Sequence, residues 1–217
     1  YFYINIFLDM EEITFIKTIK NVYESKYKEK GSLFLGIAKP VLSIDEAEYI
    51  LNTLKKDYFD ATHHCYAYKI YPNIFKYSDD GEPTGTAGIR LLNAINHFDL
   101  TNILLISIRY FGGTKLGIGP LGKAYYQNGI ETLENIEIIT KELFFNYQIV
   151  YSYNLTKTVH HILNKYNCKI INTEYQQTKQ ITHFKIKLIS INSLINDISI
   201  LTNNQAIIKN LNIKELI

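Results

Sequence analysis

The feature that most constrains this chain is a continuous apolar run at residues 102–108, NILLISI. A short strand with apolar side chains on both faces is typical of the interior of a sheet that other elements cover on both sides. The run leads into the stretch RYFGGTKLGIG, residues 109–119, which we call the glycine loop. Pro120 follows, and we expect it at the first position of a helix that continues to about Glu134, because its missing N–H is not needed there. This segment therefore predicts a central strand, a loop and a helix.

The segments before this strand show further strand and helix patterns. Ser43 and Glu46 form the S-x-x-E pattern of a capping box, which predicts the start of a helix. The apolar face of that helix consists of Ala47, Ile50, Leu51 and Leu54. Strands are predicted at residues 22–30, 33–41, 62–71 and 74–77, and a second helix is predicted at about residues 86–97.

From about residue 143 the chain follows a different order of elements. A strand at residues 143–153 precedes a helix, and two strands follow at residues 168–175 and 181–189. In the second of these, Phe184, Ile186 and Leu188 are expected to face inward. The inward face of the first helix is expected to consist of Leu155, Val159, Ile162, Leu163 and Tyr166. A second helix has an inward face of Leu194, Ile195, Ile198 and Leu201, and a last strand is predicted at residues 205–213. The order βαββαβ is that of the ferredoxin-like split βαβ unit.

The bulk composition is that of a globular protein, with 47% hydrophobic and 20% charged residues. The net charge is +2, so a nucleic-acid partner has to be met by a local basic patch. Cys65 and Cys168 fit no disulfide framework or zinc spacing, and we expect a reducing compartment and a cytoplasmic protein. The apolar start is too short to span a bilayer, so we expect no membrane partner. We expect Met10, the only methionine, to be the natural start and residues 1–9 to be upstream sequence.

The glycine loop is a candidate anion-binding site. Its four glycines permit positive φ angles and close approach of a ligand to the backbone. The loop also precedes a helix N-terminus, where unpaired N–H groups favour an anion, so phosphate is the expected ligand class. The alternative is a tight connection in which the glycines serve only packing. The candidate residues are Arg109, Gly112, Gly113, Lys115, Gly117, Gly119 and Lys123.

An acidic stretch, YSDDGEPTGTAG at residues 77–88, forms a second candidate site that we call the acidic loop. Clustered carboxylates can hold Mg²⁺ or raise one another's pKa for acid–base chemistry, although the spacing does not match an EF-hand. The alternative is helix capping, because acidic residues and threonines are favoured before a helix. The candidate residues are Asp79, Asp80, Glu82, Thr84 and Thr86.

The pair His63-His64 next to Cys65 suggests a metal site, but we do not favour that interpretation. Neighbouring residues of a strand face opposite sides, so only His63 can share a face with Cys65. Two such residues without further ligands are more often part of a packed strand. The aromatic residues of the same region can stack bases, although at strand spacing they more often fill a core.

The same segments carry a family resemblance. The stretches HHCYAY at residues 63–68, YSDDGEPTGTAG at residues 77–88 and RYFGGTKLGIGPLGKAY at residues 109–125 resemble the YigZ/IMPACT family in order and spacing. Two departures occur. Pro120 replaces a usual glycine, and Gly31-Ser32-Leu33 replaces part of the usual K-S-R-F stretch, which removes a basic side chain from the binding face.

The resemblance implies an α+β chain of two domains. Residues 10–139 are expected to form an N-terminal α/β domain with the fold shared by the second domain of a small ribosomal subunit protein and the GHMP kinases. Residues 140–217 are expected to form a ferredoxin-like domain similar to the last domain of translation elongation factor G. The eukaryotic relatives regulate translation through a stress-kinase activator. A peptidase activity finds no support here, because no nucleophile–base pair or metal-ligand set is evident.

Three functional hypotheses follow. The first is a translation-associated binding protein that contacts RNA, the ribosome or a ribosome-associated factor through the two loops. The second is a Mg²⁺-dependent enzyme that acts on a phosphorylated small molecule or a nucleotide, with the acidic loop holding the metal and the glycine loop holding phosphate. The third is a protein–protein adaptor in which the glycines only shape a rigid platform.

Overall fold

A computed structural model of the chain describes residues 14–217. Met10 and residues 1–9, for which we expected an upstream origin, lie outside the described residues. Within the described part, Ile16–Thr140 form one compact unit, and Lys141–Ile217 together with residues 14 and 15 form another. We refer to them as the first and the second unit.

The described residues form ten strands and five α-helices. The strands are β1 (Phe15–Ile19), β2 (Tyr23–Glu29), β3 (Ser32–Pro40), β4 (His63–Ile70), β5 (Ile74–Ser78), β6 (Ile103–Tyr110), β7 (Ile138–Ser152), β8 (Lys169–Tyr175), β9 (Lys179–Lys187) and β10 (Ile207–Leu216). The α-helices are α1 (Ile44–Asp57), α2 (Gly88–His97), α3 (Ile118–Leu133), α4 (Thr156–Lys165) and α5 (Ile191–Leu201).

The first unit is built around β6, which is the central strand of an antiparallel sheet. The strand order is β2-β3-β6-β4-β5. Leu105 of β6 lies in one buried cluster with side chains of α2 and α3, and Leu104 lies in another with side chains of α1. Helices therefore cover β6 on both faces, which confirms the prediction from the apolar run. This packing also holds the end of the strand in place.

The start of α1 follows the predicted capping box. The Ser43 hydroxyl accepts a hydrogen bond of 3.1 Å from the Glu46 N–H, which satisfies one of the unpaired donors of the first turn. The Glu46 carboxylate accepts a bond of 2.7 Å from the N–H of Leu42, one residue before the cap. The face of the helix that packs on the sheet consists of Ala47, Leu51 and Leu54, with Ile50 partly buried.

Several predicted boundaries differ from the structure by one to five residues, and three of them concern α2, α3 and β7. Helix α3 begins at Ile118, so Pro120 occupies its third position and not its first. The difference has little effect on hydrogen bonding, because the whole first turn lacks internal N–H partners. Helix α2 begins at Gly88, two residues after the predicted start. Strand β7 begins at Ile138, five residues before the predicted start, and it pairs with β1, a long-range contact that the local pattern does not reveal.

The second unit has the element order β7-α4-β8-β9-α5-β10, in agreement with the predicted order of strands and helices. Its strands pair antiparallel in the order β10-β7-β9-β8. Phe184 and Ile186 of β9 are buried as predicted, whereas Leu188 is only half-buried because it begins a short 3₁₀ turn. The described residues therefore form an α+β protein with two antiparallel sheets.

Among residues 14–217, no helix is both long and apolar enough to cross a bilayer.

Candidate functional site

Strand pairing brings three side chains together at the end of β6. In the register of the sheet, Arg109 of β6 lies between Phe34 of β3 and His63 of β4. Strand β5 runs parallel to β6 on the far side of β4 and leads into the acidic loop, while β6 leads into the glycine loop. Both loops therefore begin at the same end of one sheet.

A buried ion pair fastens the two loops to each other. Arg109 Nη1 lies 2.5 Å from Glu82 Oε1, and the side chains are 6% and 5% exposed. The same Glu82 oxygen accepts a hydrogen bond of 2.8 Å from the Tyr125 hydroxyl of α3. The sequence prediction grouped Arg109 with Lys115 and Lys123 around one anion. In the structure Arg109 is instead neutralised within the protein, so of these three cations the two lysines are the ones that a ligand can reach.

The guanidinium of Arg109 also lies over two aromatic rings. Its Cζ atom is 5.4 Å from the centroid of Phe34 and 5.5 Å from that of Phe111. Phe34 is fully buried and makes an edge-to-face contact of 5.0 Å with Tyr125. The Nε atom of Arg109 is buried without a hydrogen-bond partner in the described structure. Cation–π contacts and the ion pair therefore hold this side chain in one position.

The turn between β2 and β3 packs against the glycine loop. The Ser32 hydroxyl accepts hydrogen bonds of 3.2 Å from Arg109 Nη2 and of 3.3 Å from the Gly112 N–H. A Cβ on Gly112 would lie 1.9 Å from the carbonyl carbon of Gly31, so a side chain does not fit there. Gly112 therefore serves packing, which is the alternative that the sequence left open for the loop.

The rest of the glycine loop is open. Gly113 and Gly117 have φ angles of 83° and 87°, and a Cβ on either of them or on Gly119 would meet no atom within 4 Å. Gly117 is the N-cap of α3, and no side chain caps the helix there. Lys115 in the loop and Lys123 in the second turn of α3 are exposed. Free backbone space, an uncapped helix start and two cations thus occur together, an arrangement that favours an anion.

Asp79 of the acidic loop caps α2. Its carboxylate accepts hydrogen bonds of 2.9 Å from the N–H groups of Gly85 and Ala87 and of 2.8 Å from that of Gly88. The Thr86 hydroxyl donates a bond of 2.6 Å to a carbonyl of the same loop. Thr84, the other predicted threonine, is exposed. The capping alternative accounts for Asp79, because its lone pairs are directed at backbone donors.

Asp80 is held by neighbours on two other elements. It accepts hydrogen bonds of 2.7 Å from the His64 N–H and 2.9 Å from Lys55 Nζ. Partial burial raises the pKa of Asp80, but the His64 N–H and the Lys55 ammonium outweigh it, so the pKa is lowered below its usual value. Each carboxylate of the acidic loop is therefore bound within the protein. Among the described residues no group of three His, Cys, Asp or Glu side chains could hold a metal ion.

His63 and Cys65 take part in the same network without forming a reactive pair. His63 Nδ1 lies 2.8 Å from the Asp80 carbonyl oxygen, and its Nε2 lies 3.8 Å from Glu82 Oε2. The Cys65 thiol donates to the Asp79 carbonyl at 3.0 Å. Burial raises the pKa of this thiol, and burial also raises the pKa of Cys168, to about 12. The raised pKa favours the thiol over the thiolate, which is the reactive form, at both cysteines.

Several residues of this site have a role that the sequence does not reveal. Ser32 and Tyr125 lie within the stretches that carry the family resemblance, but the sequence gives neither a role, because both are distant in sequence from the guanidinium and the carboxylate that they contact. Arg90 of α2 is exposed, and its Nε lies 3.2 Å from the position of a Cβ on Gly122. Arg90 therefore adds a third cation beside the first turns of α3, where the packing of α2 against α3 places it.

The geometry defines an α+β protein in which a buried ion pair joins two glycine-containing loops. Both loops lie in a segment of the chain that is similar to known proteins. Residues 30–133 match the family model described as the Impact N-terminal domain. The chain is 37% identical over 128 residues to the IMPACT family member YvyE of Bacillus subtilis, covering 58% of this chain and 59% of that protein. It is 30% identical over 151 residues to the IMPACT family member YigZ of Escherichia coli, covering 68% and 74%.

The chain belongs to the IMPACT family, which confirms the resemblance found in the sequence motifs. A crystal structure of a hypothetical protein shares the fold, with a TM-score of 0.65 at 22% identity over 90% of this chain and 96% of that one. The alignment with the Bacillus protein covers less than two thirds of that relative.

Proposed function

We propose that this protein binds RNA of the translation apparatus, in the cytoplasm, through the open part of the glycine loop and the first turns of α3. The observation that carries the proposal is the exposure of Lys115 and Lys123 beside a helix start that no side chain caps. Phosphate groups are the anions that such a surface favours, and an RNA backbone presents them in series. Arg90 extends the same positive surface.

The two units support this proposal through the folds that the family resemblance implies. We propose that residues 10–139 have the fold shared by a small ribosomal subunit protein and the GHMP kinases, and that residues 140–217 form a ferredoxin-like domain. The antiparallel order β10-β7-β9-β8 and the βαββαβ connectivity agree with the second assignment. The resemblance implies that both modules occur in proteins that contact the ribosome and that eukaryotic relatives regulate translation.

The contacts of the acidic loop favour RNA binding over a Mg²⁺-dependent enzyme. Asp79 accepts three backbone hydrogen bonds, Asp80 binds Lys55, and Glu82 neutralises Arg109. A metal ion would have to compete with these partners for each carboxylate oxygen. A thermal-shift screen with nucleotides and sugar phosphates tests the enzyme hypothesis, which requires stabilisation that depends on added Mg²⁺.

Co-sedimentation with ribosomes tests the proposal. We expect the double variant Lys115→Ala, Lys123→Ala to sediment less with ribosomes, because two phosphate contacts are lost. The matched control is Lys56→Ala with Lys157→Ala, which removes the same charge from exposed positions of α1 and α4. Equal sedimentation of the wild type and the double variant would exclude this binding surface, and thermal unfolding verifies that both variants fold.

A further inference from the structure

Phe111 is an aromatic residue whose exposure is built into the fold. It is 44% exposed directly after β6, at the start of the glycine loop. A single exposed apolar residue is common on protein surfaces and means little alone. Here, however, the Arg109 guanidinium lies over the ring, and the same guanidinium lies over the buried ring of Phe34. The exposed ring therefore contacts a guanidinium that also contacts a ring of the core.

The backbone on either side of this ring is also fixed. The Phe111 N–H donates a hydrogen bond of 3.0 Å to the Thr62 hydroxyl, and the next N–H, that of Gly112, donates to Ser32. Gly112 cannot move toward Gly31, since the two backbones are already in contact. Holding the ring before a ligand arrives reduces the entropy that binding would otherwise cost.

The charges around Phe111 select the kind of partner. Two acids are brought to the end of β6 by described contacts: Glu82 is neutralised by Arg109, and Asp60 accepts a hydrogen bond of 2.9 Å from the Tyr110 hydroxyl. Lys115 of the glycine loop is exposed. Gly113, two residues after Phe111, has open space around it and adds no apolar side chain. Protein partners usually require a larger apolar centre. An aromatic face beside cations and open backbone is instead the combination that binds single-stranded nucleic acid.

We infer that the outer face of Phe111 stacks on an unpaired base of the RNA. This inference rests on the proposed function and specifies its ligand as a single-stranded segment. The Lys115 and Lys123 ammonium groups contact the phosphates on either side of the stacked nucleotide, and Arg109 supports the ring from behind. A base within a duplex is covered on both faces by its neighbours, so paired RNA gains nothing from the ring.

The absence of tryptophan from the sequence permits a direct test. The variant Phe111→Trp introduces a single tryptophan at the stacking position, which can be excited selectively over the 18 tyrosines, and keeps an aromatic face over Arg109. We expect an oligoadenylate of about 12 nucleotides to quench its fluorescence on binding. The matched control is Phe75→Trp, at an exposed position of β5 near the opposite end of the sheet. The control should bind equally well without quenching.

Affinity measurements complete the test. Phe111→Leu keeps an apolar side chain but removes the aromatic face, and we expect its affinity for the oligoadenylate to fall roughly five- to hundred-fold. Phe111→Tyr should restore it, and binding to an RNA duplex should be the same in all three proteins.

The outcomes separate the inference from the proposed function. If Phe111→Leu binds the single strand normally while Lys115→Ala binds it weakly, stacking is wrong and RNA binding stands, and Phe111 then belongs to a protein interface. If the wild type binds neither the single strand nor the duplex, both fail. Thermal unfolding of each variant distinguishes lost contacts from lost fold.

Discussion

Glu82 illustrates how one residue can change meaning between sequence and structure. In the sequence it is part of an acidic cluster that suggests a metal ligand, whereas in the structure its carboxylate is buried against Arg109 and Tyr125. A buried carboxylate is stabilised only by groups that neutralise it or donate to it. Its function is therefore to hold two loops together and to keep Arg109 in place beneath Phe111.

Replacing Glu82 by glutamine should destabilise the protein strongly. Glu82→Gln leaves the Arg109 charge buried without a countercharge, and we expect the free energy of unfolding to fall by about 3–5 kcal/mol. Denaturant unfolding measures the change. The control Glu48→Gln breaks the exposed pair with Lys76 and should cost less than about 1 kcal/mol.

A second substitution provides the stricter form of this test. In Glu82→Gln with Arg109→Met both charges are removed, so the loss should be smaller than the sum of the two single variants. If the losses simply add, the pair does not interact in solution as it does in the structure.

Asp80 predicts a pH dependence of stability. The pKa of Asp80 is lower in the folded protein than in the unfolded chain, where it is 3.8. Asp80 therefore stabilises the fold at pH values above 3.8, and this stabilisation is lost as the pH falls through the pKa of the folded protein. The variant Asp80→Asn should therefore be less stable than the wild type at pH 7, and the two should converge in strong acid. Urea unfolding across this range measures the difference. Lys55→Gln, which removes one partner, should reduce the pH dependence without abolishing it.

Elements reveal which parts of the fold a sequence can specify. The apolar run at residues 102–108 predicted a strand covered on both faces, because burial on two sides leaves a pattern in the strand itself. The Ser43 cap was equally local. The predicted start of β7 is wrong, because the position where this strand begins depends on its pairing with β1, which lies more than a hundred residues away in the chain.

The candidate site follows the same rule. The glycine loop was recognisable because a strand, glycines and a helix follow one another in the sequence. The partners of Arg109 were not, since the register of β3, β4 and β6 and the packing of α3 decide which side chains meet it. The sequence likewise does not reveal which glycine packs against another backbone and which has open space around it, because this depends on the backbone segments that lie near each glycine.

Two glycines of this segment should respond differently to alanine. A Cβ at Gly112 would lie 1.9 Å from the carbonyl carbon of Gly31, so Gly112→Ala should lower the free energy of unfolding by about 1–3 kcal/mol. Gly119→Ala places its Cβ in open space within the first turn of α3 and should change stability by less than about 1 kcal/mol. Thermal unfolding compares the two, and equal losses would contradict the close contact between the two turns.

At the scale of the whole molecule, charge is almost balanced. Lysine and arginine total 23 against 21 aspartate and glutamate residues, so no long-range field attracts RNA. Binding has to depend on the local cations of the first unit. The assignment of residues 10–139 and 140–217 as separate domains stays a prediction, and the same holds for localisation in the cytoplasm.

The salt dependence of RNA binding should reveal how many cations take part. For a single strand, each phosphate contact contributes roughly 0.7 to the slope of log affinity against log salt concentration. We expect Lys115→Ala with Lys123→Ala to reduce the magnitude of this slope by about 1.4, and Lys56→Ala with Lys157→Ala to leave it unchanged. Titrations at several salt concentrations provide the slopes. A double variant with the wild-type slope would show that phosphates bind elsewhere.

The pairing of Arg109 with Glu82 also restricts how this protein can diverge. Replacing Arg109 or Glu82 alone by a neutral residue leaves the other charge buried without a countercharge. We therefore expect selection against a lineage that loses one partner until the other partner is also replaced. Within the IMPACT family we therefore expect the positions aligned with residues 82 and 109 to be inherited as a unit. A descendant with a neutral residue in one loop should have a neutral residue in the other.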